Sequence, residues 1–435
     1  MASTRSGGPQ LSGTNLAHAG DHNQRVTLHA VRVNGPVTRT ELARNTGLTP
    51  AAIANITVDD AYPLWSHNGI DPRNGGFEET LDQRGAALLH PRRARLHPRQ
   101  VYAFAQAPKF GWRGDAAGIV RRGLNYFTHH YRRGDGLFRT LADAAGTALD
   151  NRALLYDQAF ALLGYAAAAT APDAREEFEA HALQLRAGVE NHFAAADGAF
   201  FADETRVGYC EANPHMHLLE AYLAWTKIGH DAGWAARVGS LVDLVLRRFI
   251  RGDSGALGES YLWSWQPAPG MAGRIIEPGH QFEWAWLLLR CEGLHPSSLR
   301  EAALRLISVG EEFGVHNGVA VNALLDDFTI MDASARFWPQ SERLKAALLA
   351  AQVTDQPRYW SMAAAAAASF LPFLDTPITG LWFDVQRPDG APVDAPAPAS
   401  TFYHLVGAIG ALDTACAAAG AARVSVAPDA PSSFE

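Results

Sequence analysis

Two short stretches of this 435-residue chain repeat one arrangement, Asn213-Pro-His215-Met-His217-Leu-Leu-Glu220 and Glu277-Pro-Gly-His280-Gln-Phe-Glu283-Trp-Ala-Trp286. In each, a histidine precedes a glutamate by three positions, which sets imidazole and carboxylate on one helix face just past a proline. A neighbouring carboxylate orients an imidazole and raises its basicity, so His217 with Glu220 and His280 with Glu283 are candidates for acid–base work. The bland alternative is a surface or capping pair; repetition beside Trp, Phe and Met favours function. Metal is the rival chemistry. Di-metal helical sites use the order Glu-x-x-His, the reverse of the order here. His215 and His217 form an HxH pair for which the spacing dictates no third ligand. No metal site and no cofactor are therefore assigned.

Two further clusters join a cation to flat apolar rings: Arg99-Gln-Val-Tyr102-Ala-Phe104 and Arg336-Phe-Trp338-Pro-Gln340-Ser-Glu342. Such a pairing suits a polyhydroxyl ligand, stacked on one face and hydrogen-bonded at its edge, or else a helix boundary with core aromatics. Tyr403-His404 follows a proline-rich stretch and precedes a helix.

These residues need elements to hold them. Beyond Asp59 the chain is Ala- and Leu-rich, with helical periodicity over 154–168, 173–194, 217–228, 234–249, 282–291, 298–312, 341–351 and 357–373. Strand signals are sparse, so the reading is an all-α fold of successive helices. Residues 386–399, with four prolines, read as a loop. Cys210, Cys291 and Cys416 lie far apart and read as buried apolar residues rather than a disulfide or zinc framework. Residues 1–57 carry five arginines against one aspartate and one glutamate, whereas the remainder holds 32 basic and 43 acidic groups. An acidic body does not suit phosphate-backbone binding. No apolar run is long enough to span a membrane, and the polar N-terminus lacks a secretory pattern, so a cytoplasmic protein is expected.

Near the N-terminus, HNQRVTLHAVRVNGPVTRTELARNTGLTPAAIANI places a Gly47 stop and a Thr49-Pro50 start between two short helices. It resembles the helix-turn-helix of repressors in the sugar kinase-like ROK family. The wing hairpin that follows in that family is not visible, so residues 23–57 read either as a DNA reader or as an accessory three-helix cap. Any DNA contact is expected there.

The larger resemblance rests on seven ordered motifs. They are Leu64-Trp-x-x-x-Gly69-Ile-Asp71 with Gly75-Gly-Phe77, Arg99-Gln-x-Tyr102, Leu155-Tyr156-Asp-Gln158-Ala-Phe160, the two His-x-x-Glu stretches, Trp338-Pro-Gln340 and Tyr403-His404. Together they resemble the N-acylglucosamine 2-epimerase superfamily, which includes mannose isomerases, sulfoquinovose isomerases and cellobiose 2-epimerases. The resemblance implies an (α/α)6 barrel over residues 58–420, after a disordered stretch 1–22 and the helix-turn-helix segment 23–57, with 421–435 as a tail. It also implies metal-free sugar chemistry through a cis-enediol. His280 and His404 are then the acid–base pair, Glu283 orients His280, and His217 and Arg99 stabilise the enediolate. Asn213, Tyr156, Trp338, Gln340 and Glu220 are expected to hold the sugar. The Ser400-Thr-Phe-Tyr-His404 ending is closer to the isomerases, which points to interconversion of D-mannose and D-fructose or a close analogue. The alternatives are an N-acylglucosamine or cellobiose 2-epimerase and, from another class, a sugar-responsive DNA-binding regulator. The oligomeric state is not readable from the sequence, and Arg92, Arg93 and Arg95 leave open whether the sugar is phosphorylated.

Overall fold

A computed structural model describes residues 56–424. The segments 1–22 and 23–55 therefore lie outside the described residues, and with them nearly all of the helix-turn-helix; Ile56 and Thr57 begin a short π-helical turn that leads into the first barrel helix. The tail from 425 onward is likewise outside.

The described chain forms twelve principal helices: α1 (Tyr62–Asn68), α2 (Leu96–Gln106), α3 (Ala116–Tyr131), α4 (Leu155–Ala168), α5 (Arg175–Phe193), α6 (Ala212–Ile228), α7 (Gly233–Leu244), α8 (Pro278–Arg290), α9 (Arg300–Gly314), α10 (Phe337–Thr354), α11 (Pro357–Ala368) and α12 (Ser400–Val424). The even-numbered helices pack side by side and close on themselves, α12 returning to α2, while the odd-numbered helices lie outside them. This is an (α/α)6 barrel. Burial follows from position: in α4 every residue except Tyr156 is buried, as expected of a helix covered on all sides, whereas outer α3 keeps Arg121, Arg122 and Asn125 exposed opposite a buried Ile119–Phe127 face.

Several inner helices begin earlier than their periodicity predicts: α6 at Ala212 rather than 217, α8 at Pro278 rather than 282, α10 at Phe337 rather than 341. Pro214, Pro278 and Pro339 read as breakers in the sequence. In the first turn, however, a helix's N–H groups have no intrahelical acceptor, so proline costs no hydrogen bond there. Tyr403 and His404 similarly fall inside α12 rather than ahead of it, and α12 runs on to Val424, four residues into the predicted tail. Cys416 is exposed, unlike Cys210 and Cys291.

One unit recurs six times. A glycine with positive φ stands in a hairpin turn at Gly75, Gly136, Gly198, Gly255, Gly318 and Gly380, at intervals of 61, 62, 57, 63 and 62 residues; only glycine takes that conformation without strain. Two residues later, in five of the repeats, the backbone is gripped by a side chain from the first turns of the next inner helix. Gln158, Gln281 and Gln340 each accept from an N–H and donate to the C=O of Phe138, Leu257 and Ala320 respectively, at 2.8–2.9 Å. His215 accepts from Phe200 N–H at 2.9 Å, and His97 from Phe77 N–H at 3.5 Å. The residues leading into each inner helix pair in turn with the hairpin of the following repeat: Arg92–Arg93 with Leu141–Ala142, Cys210–Glu211 with Ser260–Tyr261, Ala335–Arg336 with Val385–Gln386, and Leu154 and Ile276 by single bridges to Asp203 and Leu324. Ala397–Pro398 pairs back onto Thr80–Leu81 and closes the collar. These pairings place all six inner-helix N-termini around one mouth.

Candidate active site

At that mouth lies a cavity of about 550 Å³, within the range of small-molecule pockets. Its wall draws on the first two turns of all six inner helices: Arg99 from α2, Tyr156 from α4, Asn213 and His217 from α6, His280 and Glu283 from α8, Trp338 from α10, and Thr401 and His404 from α12. Helix N-termini carry partial positive charge, so the fold itself favours an anion in this space.

His280 and His404 both pack against Trp338, whose ring centroid is 5.2 Å from one imidazole and 5.5 Å from the other. Gly279 permits this packing, because a Cβ there would lie 2.5 Å from the Trp338 ring. His280 Nδ1 is 2.9 Å from Glu259 Oε2 and 3.6 Å from Glu277. Burial alone would lower its pKa, but Glu259, Glu277 and Glu283 outweigh it and hold the imidazole up at about 10. His404 Nδ1 is 2.8 Å from Glu342 Oε1. Here burial, Arg99 and Lys345 together push the imidazole well below its ordinary range. One ring is therefore kept protonated and the other neutral.

His217 is also neutral, lowered to about 3 chiefly by burial. Its Nδ1 lies 3.5 Å from Glu220 and 3.9 Å from Glu283, and its ring packs edge-on to Tyr156. The guanidinium of Arg99 lies 4.1 Å from the Phe160 ring centroid and donates to the Tyr156 hydroxyl at 2.7 Å. Arg99 Nε, Asn213 Oδ1 and both oxygens of Glu283 are buried without a hydrogen-bond partner. Polar atoms left so in a native interior call for a ligand or solvent to satisfy them.

Two expected sugar-holding residues are placed elsewhere. Gln340 is spent on the Ala320 backbone and does not line the cavity, because it stands two residues from Trp338 and faces the opposite side of α10. Glu220 sits behind the wall, where burial would raise its pKa but His217, Lys345 and the Tyr403 hydroxyl, which donates to it, hold it at about 2. The expected pairing of Glu283 with His280 is also replaced: the carboxylate against His280 belongs to Glu259, on the hairpin of the same repeat. Glu283 faces His217 instead, and burial with Glu342 nearby raises its pKa well above the usual range. The spacing missed Glu259, Glu277 and Glu342 as histidine partners and Lys345 beneath them. His215 and His217 point apart, His215 being a backbone clamp lowered to about 4 by burial.

Three groups bring ligand-type atoms within 4.8 Å of one another among the described residues: His217–Glu220–Glu283, Glu259–Glu277–His280 and Glu283–Glu342–His404. In the last two, the imidazole Nδ1 already meets a carboxylate, the arrangement that orients a histidine for proton transfer. Arg92 is not a solvated rim charge; it is buried between Asp71 and Glu78 at 3.0 and 2.8 Å. Arg93, Arg95 and Arg336 do line the mouth, paired with Glu79, Asp157 and Asp384. No helix among the described residues is long and apolar enough to cross a membrane.

A helical barrel with paired histidines at its mouth defines an enzyme of the sugar isomerase and epimerase class. Residues 75–408 match the family described as N-acylglucosamine 2-epimerase, and the chain belongs to that family. It is similar to a mannose-6-phosphate isomerase of Rhizobium meliloti (strain 1021), with 43% identity over 81% of this chain and 93% of that one, and to a D-mannose isomerase of Thermobifida fusca, with 30% identity over 59% and 68%. Among solved structures, a D-mannose isomerase superposes with a TM-score of 0.76 at 22% identity, covering 87% of this chain and 98% of that one. The cellobiose 2-epimerase of Bacillus thermoamylovorans B4167 has the same score at 17% identity, over 84% and 99%; these likenesses speak to the fold.

Proposed function

We propose that the protein is a cofactor-independent aldose–ketose isomerase interconverting D-mannose and D-fructose or a close analogue such as the 6-phosphates. The observation that carries this is the pair of imidazoles packed against Trp338 in one cavity, with carboxylates around His280 that favour its proton and a setting around His404 that disfavours it. His280, as an imidazolium, gives a proton to O5 and takes up the O1 proton as the ring opens, and it then gives a proton to the aldehyde O1. His404 removes the C2 proton in the same step, and the negative charge that develops on the way to the cis-enediol is stabilised by Arg99 and His217. His280 then recovers the O2 proton while His404, its captured proton having exchanged with solvent, delivers one to C1, which leaves the ketose and both histidines as they began. Glu259 and Glu342 orient the two rings; Asn213, Tyr156 and Trp338 hold hydroxyls or stack against the sugar. The names of the mannose-acting relatives support the hexose, and the rim arginines Arg93, Arg95 and Arg336 are the groups that an anionic C6 substituent would meet.

The test is NMR of D-mannose, D-fructose, their 6-phosphates, N-acetylglucosamine and cellobiose in D₂O with purified enzyme. Deuterium at C1 of the ketose, abolished by His404→Ala, is the expected result. Deuterium at C2 of an epimeric aldose replaces the isomerase reading by the 2-epimerase one. Sugar-modulated, salt-dependent DNA binding without turnover of any of them replaces it by a regulator.

A further inference from the structure

Beneath His404 lies a buried cation that the proton transfers do not touch. Lys345, on α10, is 1% exposed, and its Nζ is 2.6 Å from Glu342 Oε2, while the other oxygen of the same carboxylate meets His404 Nδ1 at 2.8 Å. The three groups form one chain from the barrel axis to the reacting imidazole.

Every neighbouring inner helix contributes to the surroundings of that ammonium. Glu220 of α6 and Glu283 of α8 add carboxylates. Trp286 of α8 offers its ring face 3.8 Å from Nζ, with Arg290 on the same ring at 4.3 Å. Tyr102 of α2 is within its field, and Tyr403 of α12 is bonded to Glu220. Three buried carboxylates, Glu220, Glu283 and Glu342, thus share one lysine, with Arg99 and the histidines as the other basic groups beside them. Of the three, Glu342 forms the ion pair with Nζ at 2.6 Å; burial raises its pKa, and Lys345 is the foremost group opposing that rise.

Resting on the isomerase reading, we infer that Lys345 is a positioning residue for the reaction: it keeps Glu342 an anion, so that Glu342 accepts from His404 Nδ1–H and leaves the Nε2 lone pair facing the C2 proton of the sugar. Without the ammonium, Glu342 takes up a proton at higher pH and its acceptor oxygen is lost. His404, relieved of a like charge, also protonates at higher pH. Both changes disarm the base from the acid side.

The experiment is a double-mutant cycle on the full chain with Lys345→Met, Glu342→Gln and the pair, measuring kcat, KM and pH profiles with the sugar that the wild type turns over. Lys345→Met is expected to lower kcat by about 10- to 100-fold with KM within about threefold, and to move the acidic limb of kcat to higher pH. The double variant is expected to match Glu342→Gln within about twofold, because Lys345 has nothing left to act through. A Lys345→Met enzyme with wild-type kcat and acidic limb overturns the inference, and so does a double variant that loses as much as the two single losses multiplied. Should Lys345→Met alone fail to fold, for want of a counter-ion to Glu342, the double variant carries neither charge and its comparison with Glu342→Gln decides. A wild type that isomerises no hexose defeats the isomerase reading itself; an active wild type with an indifferent Lys345 defeats only this inference.

Discussion

His280 and His404 pack against one indole, that of Trp338, and their surroundings are opposite. Around His280 the hairpin and helix entry supply Glu259 and Glu277, so the proton is held up to about pH 10. Around His404 the net effect of burial, Arg99 and Lys345 is to expel the proton, although Glu342 touches the ring. The difference lies in what stands behind each carboxylate: Glu342 Oε2 has the Lys345 ammonium 2.6 Å away, whereas beside Glu259 stands a second carboxylate, Glu277, 3.6 Å from the same imidazole. Pushing the pKa values of two like groups apart is how one site supplies both an acid and a base at neutral pH.

The comparison breaks most visibly if either ring is removed. His404→Ala and His280→Ala should each lower kcat by about 10²- to 10⁴-fold, and His404→Ala should also abolish deuterium incorporation into recovered substrate. If one of them retains near-wild-type turnover, the two-histidine division of labour is wrong. A gentler perturbation is Glu259→Gln, which removes the first carboxylate holding the His280 proton. Turnover should fall about 10- to 100-fold and the basic limb of kcat/KM, wherever the wild-type profile places it, should move down by about one unit or more; an unmoved limb would assign the acid to another group.

Two side-chain amides sharpen the contrast between the site and its frame. Asn213→Ala should raise KM about tenfold with little change in stability. Gln340→Ala, which strands the Ala320 N–H and C=O, should cost roughly 2 kcal/mol in chemical denaturation and leave KM within about twofold. Stability against pH reads the same groups without any substitution. His217 and His215, with native pKa values near 3 and 4, are depressed from an ordinary value of about 6.5, so the unfolded chain binds protons that the folded one refuses. Their contribution is complete above about pH 6.5 and is lost as the pH falls towards 3, at up to about 1.4 kcal/mol per pH unit for each. His280 has the opposite sign, and its contribution is lost between about pH 6.5 and 10. Melting temperatures measured at pH 5, 7 and 9 should therefore peak near neutrality.

Much of the frame was legible before any coordinates. Helical periodicity marked the segments around most helices, and the two His-x-x-Glu stretches led to His217, His280 and Glu283, all of which line the cavity. The missed starts of α6, α8 and α10 came from reading first-turn prolines as stops. A further signal was present and unused: glycine two residues before a mostly apolar position, six times at intervals near 60. Aligning those repeats on their glycines puts His97, Gln158 and Gln340 in one register, each 22 residues on, and marks them as parts of the frame, which separates Gln340 from Trp338.

By itself the sequence determined which residue types are available and which short helical faces they share, because a helix converts spacing into direction: His217 with Glu220, Trp338 opposed to Gln340. It could not determine which carboxylate meets which imidazole across the barrel. Glu259 reaches His280 from a hairpin 21 residues away, and Glu342 reaches His404 from the neighbouring inner helix, 62 residues apart. Those meetings depend on ring closure and on the register of the collar, and the protonation states depend on burial and on charges gathered from four helices. Only the tertiary structure brings those to one place, so only it decides which histidine is the acid and which the base.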